Sequence, residues 1–355
     1  MTFSKRIFCI FLCLTALLSL SAAVSAQEET TLTAGEFTYT ILEDDSICVT
    51  GYLGSSTDVE LPSQIEGKDV VTIGSEIFWY NKEITSVTIP DSVEYIGKRA
   101  FQGCTGLTEI KLPESVHEIG DACFLGCSSL TKINVPANLV YVGAFAFDET
   151  PWVTQFDGCS SIILGGRVFY KYLADEDKVV IPEGVVCISD NAFDGKSLSF
   201  VKIPDTVAFI GDYAFYNCKN LKEIKLPSEV YYIGENSIGM LAGANEPKAS
   251  KDFVVYAHEG TLGAGYAESG GITLKSTEEF TEPESLPEAE VCVPTAEIRD
   301  VKESSESAGL SQGAVVTIVL SLVGCAVVIG GITVASHFYE EKRKKENKNL
   351  KKKKK

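Results

Sequence analysis

Histidine is scarce in this 355-residue chain, which holds only His117, His258 and His337. Imidazoles scattered this widely form neither a metal-ligand cluster nor an obvious general base beside a nucleophile. The chain also lacks a glycine-rich phosphate loop and a Gly-x-Ser-x-Gly elbow, the short motifs that would mark nucleotide or acyl chemistry. Carboxylates are abundant, but abundance on a surface does not make a paired acid–base site. No cofactor, no metal and no catalysis are expected. Two further absences concern address. No Leu-Pro-x-Thr-Gly signal occurs, although Leu286-Pro287-Glu288 begins like one, so covalent wall attachment is not indicated. No Asn-x-Ser/Thr acceptor occurs either, which favours a bacterial over a eukaryotic surface.

Basic charge is missing from most of the chain. The net charge is -18, while Lys5 and Arg6 contribute +2 and the tail from Glu340 contributes +7, leaving -27 on the stretch between. Such a surface repels polyanions, so nucleic acid is not an expected partner.

The two ends read as export signals. Lys5-Arg6, an apolar run from Ile7 to Leu20 and Val24-Ser25-Ala26 make a secretory leader over 1–26, the run being too short to span a bilayer. Ala314 to Ala335 is uncharged and rich in Val, Ile, Leu and Gly. That length suits one transmembrane helix, placed at 313–337. The lysine-rich tail, 338–355, would stay cytoplasmic. Lysine runs also suit nucleic acid, but beside a span the stop-transfer, anionic-lipid reading is preferred.

Between the ends lies a repeat of about 23 residues. Pro90, Pro113 and Pro136 are spaced by 23, as are Phe78, Phe101, Phe124 and Phe147. Gly74, Gly97, Gly120, Gly143 and Gly166 keep the same step, and regular units return at Pro182, Pro204 and Pro227. Residues 151–178 therefore read as a modified coil. In one unit, Leu107 to Leu112 alternates as a half-buried strand and Pro113 ends it. Val116 and Ile119 turn inward, Gly120 is expected to permit a tight turn, and Phe124 re-enters the core. One unit cannot bury its apolar face alone, so the units must stack. The expected fold is a β-rich repeat solenoid with short helical turns; eight coils at about 4.8 Å per strand would make a rod roughly 40 Å long.

A capping hairpin is expected over 27–60, repeats over 61–240 and a C-terminal cap over 241–275. Residues 276–312, rich in Glu, Ser, Thr and Pro, read as a flexible acidic stalk. Of the 11 cysteines, Cys9 and Cys13 fall in the leader and Cys325 in the span, leaving eight outside. Cys104, Cys127 and Cys218 share one repeat position. Stacking could bring Cys104 and Cys127 within disulfide reach, but parallel in-register packing suits small core residues better.

The pattern Ile-Pro-x-x-Val-x-x-Ile-Gly-x-x-Ala-Phe-x-x-Cys-x-x-Leu, complete from Ile203-Pro204 to Leu221, resembles that of the BspA-like leucine-rich repeat family. The resemblance spans about Phe37 to Leu274. Ser189 in place of glycine and Ile238 in place of phenylalanine depart from it. It implies a solenoid of leucine-rich repeat type, carried by surface proteins of host-associated bacteria and some mucosal protists. Adhesion or matrix binding is proposed for some members, and no catalytic residues carry over.

Two columns are candidate ligand contacts. Tyr95, Glu118, Tyr141, Cys187, Phe209 and Tyr232 precede the inward residue of the second segment in successive coils. Strand alternation would place Tyr95, Tyr141, Phe209 and Tyr232 outside, where aromatics favour interfaces. Flat packing between coils is the competing reading. The first strand's outward column, Thr88, Lys111, Asn134, Lys202 and Lys225, is locally basic. The expected function is a membrane-anchored surface binding module. Its partner would be an extracellular protein or glycan of a host or neighbouring cell. The alternative is an envelope-organising role without a specific ligand.

Overall fold

The computed structural model describes residues 31–244 and 246–288. The expected leader, span and tail, and the stalk beyond 288, lie outside the described residues. Among the described residues, no helix is long and apolar enough to cross a membrane.

Each coil contributes two short strands to two parallel ladders. The first ladder joins Asp58–Glu60, Ser86–Thr88, Glu109–Lys111 and Lys132–Asn134. The middle residues Val59, Val87 and Ile110 are buried while their flanks are exposed, as alternation requires. The second ladder runs through Lys68–Ile73, Tyr95–Ile96, Glu118–Ile119 and Tyr141–Val142. Between the two, proline does more than end a strand. The Pro113 carbonyl accepts from Val116 N at 3.0 Å, and Pro90 and Pro204 do the same with Val93 and Val207 at 3.1 Å. The Pro-x-x-Val pattern is thus a hydrogen-bonded turn that aims valine into the core.

The glycine that follows the second strand serves a purpose other than the tight turn expected. A Cβ on Gly120 would lie 2.6 Å from Lys98 N and 2.9 Å from the Gly97 carbonyl carbon. Glycine is needed there because one coil lies against the next. The left-handed turn falls two residues later, on Arg99, Ala122, Phe145 and Tyr213 with φ of 56°, 51°, 57° and 55°.

Phenylalanines stack through the centre. Ring centroids are 5.2 Å apart for Phe78–Phe101, 5.1 Å for Phe101–Phe124 and 5.6 Å for Phe124–Phe147, the last two pairs nearly parallel at 6° and 7°. The cysteine column packs beside them. Cys104, Cys127 and Cys218 donate to the carbonyls of Phe78, Phe101 and Phe193 at 3.1, 3.0 and 3.0 Å, and these three thiols are unbridged. Cys159, outside that column, is disulfide-bonded.

The modified coil divides the stack. A 3-10 turn at Val153–Phe156 leads into an antiparallel hairpin of Ser161–Leu164 and Val168–Tyr172. Its alternating side chains face two ways. Tyr170 meets the Phe147 ring edge-on at 5.8 Å, and Trp152 covers that ring from 4.9 Å. Phe169 starts a second spine, stacking on Phe193 and then Phe215 at 4.8 Å each. Both ladders stop at this coil and begin again: Val168–Tyr172 pairs onward with Cys187–Ile188, and Lys178–Val180 with Phe200–Lys202. Two core clusters result, the first continuing past the hairpin only through Val186, Cys187, Ala208 and Phe209.

The ends are covered. Strands Leu32–Ala34, Phe37–Ile41 and Ile47–Tyr52 form an antiparallel meander whose last strand joins the second ladder. At the back, Glu223–Lys225 pairs with Val254–Tyr256 and then Thr273–Lys275, with the helix Leu262–Gly270 between the last two. Thr261 caps that helix by accepting from Ala264 N.

Candidate functional site

The column of Tyr95, Glu118 and Tyr141 is in register, each residue opposite the next across the second ladder. Beyond the hairpin, Cys187, Phe209 and Tyr232 form a second in-register run. Their exposure differs. Tyr232 is 37% exposed and Phe209 only 8%. Tyr95 is half-buried with its ring 4.6 Å from that of His117. Tyr141 is half-buried, and its hydroxyl donates to Asp190 Oδ2 at 2.6 Å, reaching across the divided stack. Phe209 belongs, with Val186, Cys187 and Ala208, to the first core cluster, and its ring lies 5.9 Å from that of Tyr232.

Beside the rings runs a carboxylate ladder that inspection of the repeat did not single out. Asp121, Asp190 and Asp212 each follow the glycine position of their coil. Asp190 Oδ1 accepts from Asp212 N at 2.7 Å, and Asp212 Oδ1 accepts from Glu235 N at 2.8 Å and from the Tyr232 hydroxyl at 3.1 Å. Loss of water pushes the Asp190 carboxyl up to about 7; the Tyr141 hydroxyl opposes that rise, and the Asp121 and Asp212 charges add to it. Loss of water likewise raises Glu118 to about 7, with Asp121 assisting. Burial disfavours the charged form of both groups because the low-dielectric site penalises charge. The signal for this ladder was present as Gly-Asp at 120–121 and 211–212 and Ser-Asp at 189–190.

The basic column behaves differently along its length. Lys111 is exposed between Thr88 and Asn134 of adjacent strands. Lys202 is half-buried and pairs with Glu282 at 3.1 Å, and the Lys225 ammonium lies 5.9 Å from the Phe280 ring centre. Both contacts come from the beginning of the segment expected as stalk.

A third group, also unforeseen, lies on the turns. Trp79, Tyr80 and Phe145 are 51%, 54% and 49% exposed. Trp79 donates to Gln102 Oε1 at 3.2 Å and meets Tyr80 edge-on at 5.2 Å. Aligning Trp79-Tyr80 with Gln102-Gly103 one period later would have shown aromatics at a usually polar place. Among the described residues, no group of three or more His, Cys, Asp or Glu could hold a metal ion.

The BspA-type leucine rich repeat region matches this chain in 6 copies, over residues 55–174 and 162–242. The chain belongs to that family. BspA-like leucine-rich repeat proteins are cell-surface proteins, and leucine-rich repeat proteins generally bind other proteins. Solved structures similar to this chain include a leucine rich cell surface protein from Faecalibacterium prausnitzii. It is 27% identical over 62% of this chain and 59% of its own, with a TM-score of 0.36. The Treponema pallidum leucine rich repeat protein is 33% identical over 57% of this chain and 86% of its own, with a TM-score of 0.35. A leucine-rich repeat protein from Bacteroides ovatus is 25% identical over 65% and 62%, with a TM-score of 0.34. The match thus spans under two thirds of the Faecalibacterium protein's length. No curated protein matches the chain.

Proposed function

We propose that this BspA-type protein is a membrane-anchored surface binding module that recognises an extracellular protein or glycan through the second-ladder face. The observation that carries this reading is the pair of in-register runs on this face, Tyr95, Glu118 and Tyr141 in one and Cys187, Phe209 and Tyr232 in the other, with Asp190 at the Tyr141 hydroxyl and Asp212 at that of Tyr232. Equivalent residues recur at fixed spacing, so an extended partner meets several weak contacts at once, which reinforce one another. Tyrosines supply large area at low entropic cost. The carboxylates favour a partner whose contacting groups are cationic or rich in hydroxyl donors. Phe209 supports this face from beneath.

The test pairs affinity with melting temperature. The soluble region is screened against immobilised matrix proteins and glycans, and any hit is repeated with Tyr232→Ser. The expected result is at least about a tenfold loss of affinity, the cost of one aromatic contact, at nearly unchanged melting temperature. Unchanged affinity would retire this face, and Lys111, with Lys202 and Lys225, would be the next candidate, expected to show salt-sensitive binding. Anchoring is tested separately. Protease applied to intact cells is expected to remove the repeats and spare the basic tail; a protected repeat region would refute that topology.

A further inference from the structure

Phe200 and Tyr256 occupy outward positions of two neighbouring sheets that follow the first ladder, yet both are only 6% exposed and neither belongs to the two core clusters. Their inward neighbours Val201 and Val255 fill the core instead. What covers them is the chain that leaves the back cap. Ser276 caps a 3-10 turn at Thr277–Glu279, and Phe280 then lies over the sheet. The Phe280 ring stacks with Phe200 at 6.2 Å and meets Tyr256 at 5.0 Å and 64°. Lys225 approaches the same ring, Lys202 pairs with Glu282, and Lys275 sits 5.8 Å from the centre of the Tyr256 ring. On an acidic protein, this sheet face presents two aromatic walls and three ammonium groups. The segment on it, Ser276 to Glu288, carries five glutamates and a single aromatic residue.

We propose that the outward face of Phe200, Lys202, Lys225 and Tyr256 is a docking groove for an acidic polypeptide segment bearing an aromatic residue. The chain's own residues 276–288 occupy it in cis. The complementarity is of two kinds: ring against ring walls, and carboxylate against ammonium two residues later. The hold is light, since the segment adds no strand to the sheet and its one ion pair to this face, Lys202–Glu282, is half open to water on both sides. Such a pair is readily exchanged. An external segment of the same chemistry therefore competes with an intramolecular copy at roughly millimolar effective concentration. The strap raises the threshold for binding without abolishing it. The inference rests on reading the protein as a binding module, but it concerns the opposite ladder from the tyrosine column.

The probe is a fluorescein-labelled peptide of residues 276–288, titrated by anisotropy against the full chain in detergent. Phe280→Ser with Glu282→Lys should empty the groove and bind the peptide at least about tenfold more tightly than the unaltered protein, because the cis competitor is gone. Adding Lys202→Glu should reverse that gain, and raised salt should weaken it. Should the double change unfold the protein, Glu282→Lys alone, which removes only a half-exposed ion pair, should still give about a threefold gain. No gain in either variant, or a gain that Lys202→Glu leaves intact, overturns the proposal and makes the segment a fixed clamp. Loss of the tyrosine-column ligand would leave these outcomes untouched, so the two readings fail separately.

Discussion

Phe124 shows what a single side chain contributes to a stacked fold. It is fully buried between Phe101 and Phe147, with near-parallel rings on both sides. Phe124→Ala leaves a cavity that coils tied by strand ladders cannot easily close, so a loss of about 3–5 kcal/mol is expected in chemical denaturation. The column was legible because one large residue recurring at every 23rd position must meet its own copies once the coils stack. The tyrosine column was less legible. Its strands are two residues long, too short for alternation to fix which way a ring points. Tyr141 therefore folds down towards Asp190 while Tyr232, in the same column, stays exposed. Tyr141→Ser would leave Asp190 Oδ2 without its donor, Oδ1 keeping that of Asp212 N, and a loss of about 1–3 kcal/mol is expected. Tyr232→Ser should cost less than about 1 kcal/mol, as exposed positions do. Denaturant midpoints of the two proteins check the contrast.

At the scale of elements, the carboxylate ladder couples coil to coil and makes stability depend on pH. Asp190 and Glu118 titrate near 7 in the folded protein, well above their ordinary values near 4. Between those limits the folded state holds more protons than the unfolded chain, so stability falls as pH rises through that window. The melting temperature should be higher at pH 5.5 than at pH 8. Asp190→Asn should flatten that slope by removing one of the two titrating groups. A slope of the opposite sign, or one unaffected by the substitution, would show that these carboxyls remain charged. The hairpin at Ser161–Tyr172 was legible only as a disturbed coil. Its glycine and aromatic positions kept the period, because Tyr170 still reaches the end of the Phe147 spine. The antiparallel return was hidden, since Ser161–Leu164 is buried throughout and shows no alternation to mark it. The strap was hidden for a different reason. A glutamate-rich stretch has no apolar period, and one phenylalanine within it gives no indication of the sheet it covers.

The whole molecule inherits its behaviour from the coil that divides it. The phenylalanine spine and both ladders change over at residues 151–178, and the first core cluster passes that point only through Val186, Cys187, Ala208 and Phe209. In a linear array each coil is stabilised by its neighbours, so coupling between coils sets how far an opening spreads. Here one junction is made by a hairpin, the Tyr170 hydroxyl between Phe147 N and Asp148, and the Tyr141–Asp190 bond, whereas on either side of it the second ladder runs unbroken from coil to coil. Amide hydrogen exchange should therefore occur in two waves, one for residues 31–147 and one for 168–275, with distinct opening free energies. Weakening the junction by Tyr170→Phe should separate the waves further and broaden the thermal transition. Pulled from its two ends, such a molecule would yield at that junction first, lengthening in two discrete steps rather than one.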